Sequence, residues 1–104
     1  MTRKEKILAM LAEEPNDSFL KYSLALELRK EEDYQQSIGI LKELAYDPQV
    51  NYVAAFFMAG QQLAELGQIE EARGFLRDGI EQARLQNNLH AAAEMAELLK
   101  ELGK

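Results

Sequence analysis

Apolar positions along the chain recur at three- and four-residue spacings, and no stretch alternates apolar with polar over the length of a strand. Arg3 to Glu14 carries Ile7, Leu8, Met10 and Leu11 on one side. Pro15 stops it, since the residue before a proline is pushed out of the helical region. Asn16, Asp17 and Ser18 supply cap candidates for a second helix that runs to about Lys30. That helix bears two apolar stripes where a surface helix needs one: Leu20, Leu24 and Leu28 with Ala25 beside them, and Phe19, Tyr22 and Leu26. Asp33, with Gln36 three residues on, opens a third helix with Tyr34, Ser37, Ile38, Leu41 and Leu44 facing in, ending before Pro48. A fourth is predicted from about Val50 to Leu66, with Gly67 as a C-cap that accepts positive φ. A fifth, from about Ile69 to Leu85, turns Ile69, Ala72, Phe75, Leu76 and Ile80 inward. After a turn at Asn87-Asn88, a sixth from Leu89 to Leu102 buries Ala92, Met95, Ala96 and Leu99. The expectation is an all-α protein of six helices with no sheet.

The chain also resembles itself. Ile7-Leu8-x-x-Leu11-Ala12-x-Glu14-Pro15 returns as Ile40-Leu41-x-x-Leu44-Ala45-x-Asp47-Pro48, an offset of 33 (48 − 15). Leu28, Ser37, Gly39 and Leu41 match Leu63, Ala72, Gly74 and Leu76 at an offset of 35 (63 − 28). Leu63-Ala64-Glu65-Leu66-Gly67 matches Leu99-Lys100-Glu101-Leu102-Gly103 at 36 (99 − 63). Ala25 and Gly60 are small on one helix of each pair, and Ser37 and Ala72 on the other, as close crossing requires. Gly39 and Gly74 each cost roughly 1 kcal/mol relative to alanine in mid-helix, which points to a crowded contact at both places.

Repeats of about 34 residues built as two helices resemble the tetratricopeptide repeat family. In the central copy Phe56 takes the bulky first place, Ala59-Gly60 the leucine–glycine pair, Leu63 the tyrosine, and Ala72 and Leu76 the small and aromatic places of the second helix. The earlier copy holds Lys21, Leu24-Ala25, Leu28, Ser37 and Leu41 there, with Pro48 one residue early. Lys21 for a bulky residue, the missing second proline, and Gly79 in place of a larger alanine depart from the pattern. The resemblance implies a short right-handed α-solenoid of antiparallel helix pairs in one domain: a half repeat over 1–15, repeats over 16–49 and 50–86, and a C-terminal capping helix over 87–104.

Composition narrows the function. Hydrophobic residues make up 47% and charged residues 29% of 104, which fits an ordinary globular chain. There is no cysteine, hence no disulfide, thiolate metal site or cysteine nucleophile. Twelve basic against 18 acidic residues give a net charge of −6, which repels phosphate backbones. The basic cluster Arg3, Lys4, Lys6 reads as a solvated face rather than a nucleic-acid site. The run between Lys6 and Glu13 is too short for a signal peptide, and Tyr52 to Gly60 is about half a membrane span, so a soluble, cytoplasmic protein is expected. His90 stands alone as a surface or capping residue, excluding a two-histidine metal site. Ser18, Ser23 and Ser37 lack a nucleophile motif, and no phosphate-binding loop occurs. No enzyme activity, cofactor or metal is expected, and no nucleic-acid or membrane partner.

The second stripe remains. The resemblance implies that the first helix of each repeat lines a partner-binding groove, occupied here by Phe19, Tyr22, Leu26, Lys30, Ala54, Phe57, Gln61 and Glu65. Family members that clamp a C-terminal carboxylate use a lysine and asparagines on this surface. Tyr22, Leu26 and Met58 hold those places here, which argues against such clamping. The reading is therefore an interaction module, a scaffold or adaptor for an apolar partner segment. A self-associating homodimer built on the alanine-rich last helix (Ala91, Ala92, Ala93, Ala96) is the alternative.

Overall fold

The computed structural model describes residues 1–103. They form α1 (Arg3–Glu13), α2 (Ser18–Lys30), α3 (Tyr34–Tyr46), α4 (Val53–Glu65), α5 (Ile69–Leu85) and α6 (Leu89–Glu101), with no strand among them. Local chemistry sets most of the boundaries. Thr2 and Glu5 form a reciprocal capping box at the start of α1, at 3.1 and 2.8 Å. Asp17 accepts from the Leu20 amide at the start of α2, and Asn88 from the Ala91 amide at the start of α6. Asp33 accepts from the Gln36 amide, but the Gln36 side chain bonds back to the Asp33 carboxylate, not to the cap backbone.

Three helices end alike. Glu32, Gly67 and Asn87 adopt left-handed φ of 63°, 80° and 59°, and the next amide reaches back to the carbonyls of Leu28, Leu63 and Ala83. These are Schellman closures, which tie off the last carbonyls of a helix. The end of α3 differs. Asp47 to Asn51 fold into a turn with Asn51 at φ 44°, and the Tyr52 amide bonds to Leu44 O at 3.1 Å. The residues from Val50 to Tyr52 reverse the chain, so α4 starts at Val53, three residues later than expected from the pattern.

Each helix packs on its sequence neighbours, and α4 also touches α6, giving a slab of 41 × 29 × 19 Å. Its core is Ala25, Leu41, Leu44, Phe56, Ala59, Leu63, Ala72, Leu76 and Met95 with their neighbours. The small residues work as their spacing predicts. A Cβ on Gly60 would lie 2.8 Å from Leu76 Cδ2, and Ser37 Oγ donates to the Ala25 carbonyl at 2.7 Å across the α2–α3 crossing. Buried Gln62 donates in turn to Ser37 Oγ at 3.0 Å, tying α4 to the same point. Tyr46 stacks edge-on against Phe56 and Phe75, at 5.1 and 5.5 Å between centroids, joining α3 to α4 and α5.

Three expectations fail. Beyond the local helix backbone nothing lies within 4 Å of a Cβ built on Gly39 or Gly74; the crowded glycine is Gly79, where it would meet Phe56 Cβ at 2.5 Å and Met95 Sδ at 2.6 Å. The departure from the repeat pattern at Gly79 is what lets α4 and α6 converge on α5. Ala96 is exposed, and on α1 Ile7 is buried while Leu8 and Met10 stand 45% and 48% exposed. Tyr34, Ile69 and Leu99 are half-buried. The outer helices α1 and α6 have packing partners on one side, so inward-reading positions on their far sides meet water.

Candidate functional site: the groove face of α2, α4 and α6

Burial of Ala55, Phe56, Ala59, Gly60, Gln62 and Leu63 fixes the rotation of α4. It leaves Ala54, Phe57, Gln61 and Glu65, spaced three and four residues apart, together on another face. Ala54 and Glu65 are exposed there, and Phe57 and Gln61 half-buried, with Phe57 resting on the core.

On α2 the predicted residues separate. Tyr22 and Leu26 are half-buried, and Tyr22 lies 5.4 Å from Tyr52, ring to ring, where α2 meets the start of α4. Burial raises the Tyr22 phenol above its ordinary pKa and Tyr52 adds to this, against an opposing pull from Arg29. Lys30 is exposed and pairs with Glu27 at 3.2 Å. Phe19 is 66% exposed and lines a separate hollow against α1 with Ala9, Met10 and Leu20. It does not share a cavity with Phe57.

One hollow on this face lies between α4 and α6. Its volume is about 450 Å³, and Phe57 and Gln61 line it opposite His90, Ala93, Glu94, Glu97, Leu98 and Glu101. It continues past Gln61 and Leu98 to Ala64, Glu65 and Arg29. There the Arg29 guanidinium holds the Glu65 carboxylate through two bonds of 2.9 and 2.8 Å and points a third donor at Met58 Sδ, bridging α2 to α4. Both bonds to the carboxylate leave one nitrogen, Nη2, so this is a charge-assisted end-on contact and Nη1 is left for the sulfur.

The α6 wall was missed in the sequence, although the signal was present. Moved on by the 36-residue offset, Ala54, Phe57, Gln61 and Glu65 become His90, Ala93, Glu97 and Glu101, all of which line the cavity. His90 stands at its edge, 3.5 Å from Glu94. Among the described residues no group of three metal-ligating side chains occurs, and no helix is long and apolar enough to cross a membrane.

No family model matches the chain, and no curated protein matches it. Solved structures do. The solution NMR structure of a tetratricopeptide repeat domain protein from Salinibacter ruber superposes with a TM-score of 0.78 at 24% identity, over 85% of this chain and 88% of that one. A crystal structure of a tetratricopeptide repeat domain protein from the same organism gives 0.76 at 23%, over 85% and 97%. Paired antiparallel helices, the small-residue crossings and these superpositions agree: the chain has the tetratricopeptide repeat fold.

Proposed function

We propose that the protein is an interaction module, a scaffold or adaptor that holds a segment of another protein on the face formed by α2, α4 and α6. The observation that carries this is the open hollow between α4 and α6, where half-buried Phe57 and Leu98 are left in contact with water. A bound side chain there would bury apolar area at about 25 cal/mol per Å². Tyr22 and Leu26 extend the apolar surface across α2. Selection of phage-displayed random peptides on the immobilised chain tests the reading. Enriched peptides are expected to lose affinity in Phe57→Ala and Leu26→Ala and to keep it in Arg77→Ala, whose side chain is exposed on α5. Peptides that bind all three variants equally would refute it.

One observation favours a second reading, self-association through α6. Ala96, at the place where Gly60 is buried in the preceding pair, is exposed, as are Ala93 and Leu89. Light scattering over a wide concentration range that shows only monomer would remove it.

A further inference from the structure

We propose that the cavity between α4 and α6 receives a basic segment of the partner: one large apolar side chain against Phe57, Ala93 and Leu98, flanked by lysine or arginine facing Glu94, Glu97 and Glu101. The inference rests on the interaction-module reading and narrows it to a partner of stated charge. A hollow of about 450 Å³ falls within the range of ligand pockets, and the apolar part of its lining, Phe57, Ala93 and Leu98, can take one large apolar side chain.

The rim supplies the sign. Glu94, Glu97 and Glu101 follow one another at three- and four-residue steps along one side of α6, toward its C-terminal end. Like charges at those spacings destabilise a helix, and carboxylates near a helix C-terminus oppose its dipole. Among the described residues no lysine or arginine lies within ion-pair distance of any of the three, and only His90 approaches Glu94. Glu65, on the same face, is by contrast held by Arg29. Lys100, in the last turn and three residues beyond Glu97, offsets part of the like-charge cost, yet none of the three carboxylates is held in an ion pair with lysine or arginine among the described residues. The rim presents three carboxylates around an apolar floor, and a cationic segment complements both. With a net charge of −6, the molecule would also draw such a segment in and repel an acidic one.

The phage selection separates this inference from the reading beneath it. Enriched peptides, synthesised with a fluorescent label and titrated by anisotropy, are expected to carry net positive charge around a large apolar residue. They should bind about tenfold or more weakly to the Glu94→Gln, Glu97→Gln, Glu101→Gln triple variant, and weaken as salt rises. Removing like-charge repulsion should leave that variant's melting temperature at or above the parent's, so weaker binding cannot be assigned to unfolding. Neutral or acidic peptides that need Phe57 but not the carboxylates would overturn the inference and leave the interaction-module reading standing. Absence of any Phe57-dependent peptide would overturn both. Self-association that the triple variant abolishes would give the groove to a second copy and overturn the inference as well.

Discussion

Replacing Gly74 and Gly79 in turn by alanine tests the packing of α5 most directly. Both lie inside one helix, so the propensity gain is the same, about 1 kcal/mol for each. They differ in what the new methyl group meets. At Gly74 it enters open space, and the gain should survive whole. At Gly79 it meets Phe56 Cβ at 2.5 Å and Met95 Sδ at 2.6 Å. The Met95 thioether can swing aside, but Phe56 Cβ is fixed to the α4 backbone, so α4 and α5 must part. Overpacking of this kind costs typically 1–3 kcal/mol, and a backbone-anchored clash belongs in the upper part of that range. Net of propensity, Gly79→Ala should destabilise by about 1–2 kcal/mol. At about 4–8 °C per kcal/mol for a domain of this size, that lowers Tm by roughly 4–16 °C, while Gly74→Ala raises it by about 4–8 °C. Urea titration and thermal melting followed by circular dichroism at 222 nm read both. A Gly79→Ala variant as stable as the parent would refute the convergence of α4 and α6 on that glycine, and a Gly74→Ala variant less stable would refute the open space at Gly74.

Other predictions follow from buried polar and strained positions. Ser37→Ala strands the Gln62 amide, whose Oε1 already lacks a partner among the described residues, and should cost about 1–3 kcal/mol in urea unfolding. Adding Gln62→Leu should recover part of it, and strict additivity in that double-mutant cycle would argue against the coupling. Gly67→Ala, at φ 80°, should cost about 1–2 kcal/mol, whereas Glu32→Gly, at φ 63° in the equivalent closure, should gain up to about 1 kcal/mol; chemical denaturation distinguishes the signs. Tyr46 is held well above its ordinary pKa, first by burial and then by its hydrogen bond to Asp78, and burial raises Tyr22 and Tyr52 too. The folded state therefore favours neutral phenols. Their contribution is intact below the unfolded value of about 10 and lost as pH climbs above it. Stability measured from pH 8 to 11.5 should stay level and then fall, and Tyr46→Phe should soften the fall.

Helix number and pairing were legible because they rest on spacing and on local signals: Asp17, Asp33, Asn88 and Gly67 cap or close helices where their chemistry predicts. Small residues at Ala25, Gly60, Ser37 and Ala72 were legible as crossings because two copies carried them. The crowded glycine was not. Gly39 and Gly74 recur and Gly79 does not, yet recurrence records a shared position and not the neighbours it meets. Only packing shows that Phe56 and Met95 converge on Gly79. Phe19 was read with Tyr22 because they share a helix stripe, but at the outer end of α2 that stripe faces α1 and water. The acidic wall of the hollow between α4 and α6 was hidden for the opposite reason. Its residues are in register with the groove places of α4, but glutamates on a terminal helix look like any solvated face until α4 is seen opposite.

Where the energy of the fold is stored decides which residues can report on function. Phe57 and Tyr22 lie on the proposed binding face and also rest on the core, so truncating either removes apolar surface from that face and packing together. Full burial would make such a truncation cost about 3–5 kcal/mol; half-burial lowers that but does not remove it. In a chain of this length, with a total stability on the order of 5–15 kcal/mol, loss of binding in those variants is ambiguous by itself. Glu94, Glu97 and Glu101 have no such double role. They are exposed, bear no packing, and oppose the helix that carries them, so their removal should raise stability or leave it unchanged. A residue whose loss helps the fold and harms binding separates the two contributions. On the proposed reading the three carboxylates of α6 are such residues, and the neutral triple variant is then a cleaner test than an aromatic truncation.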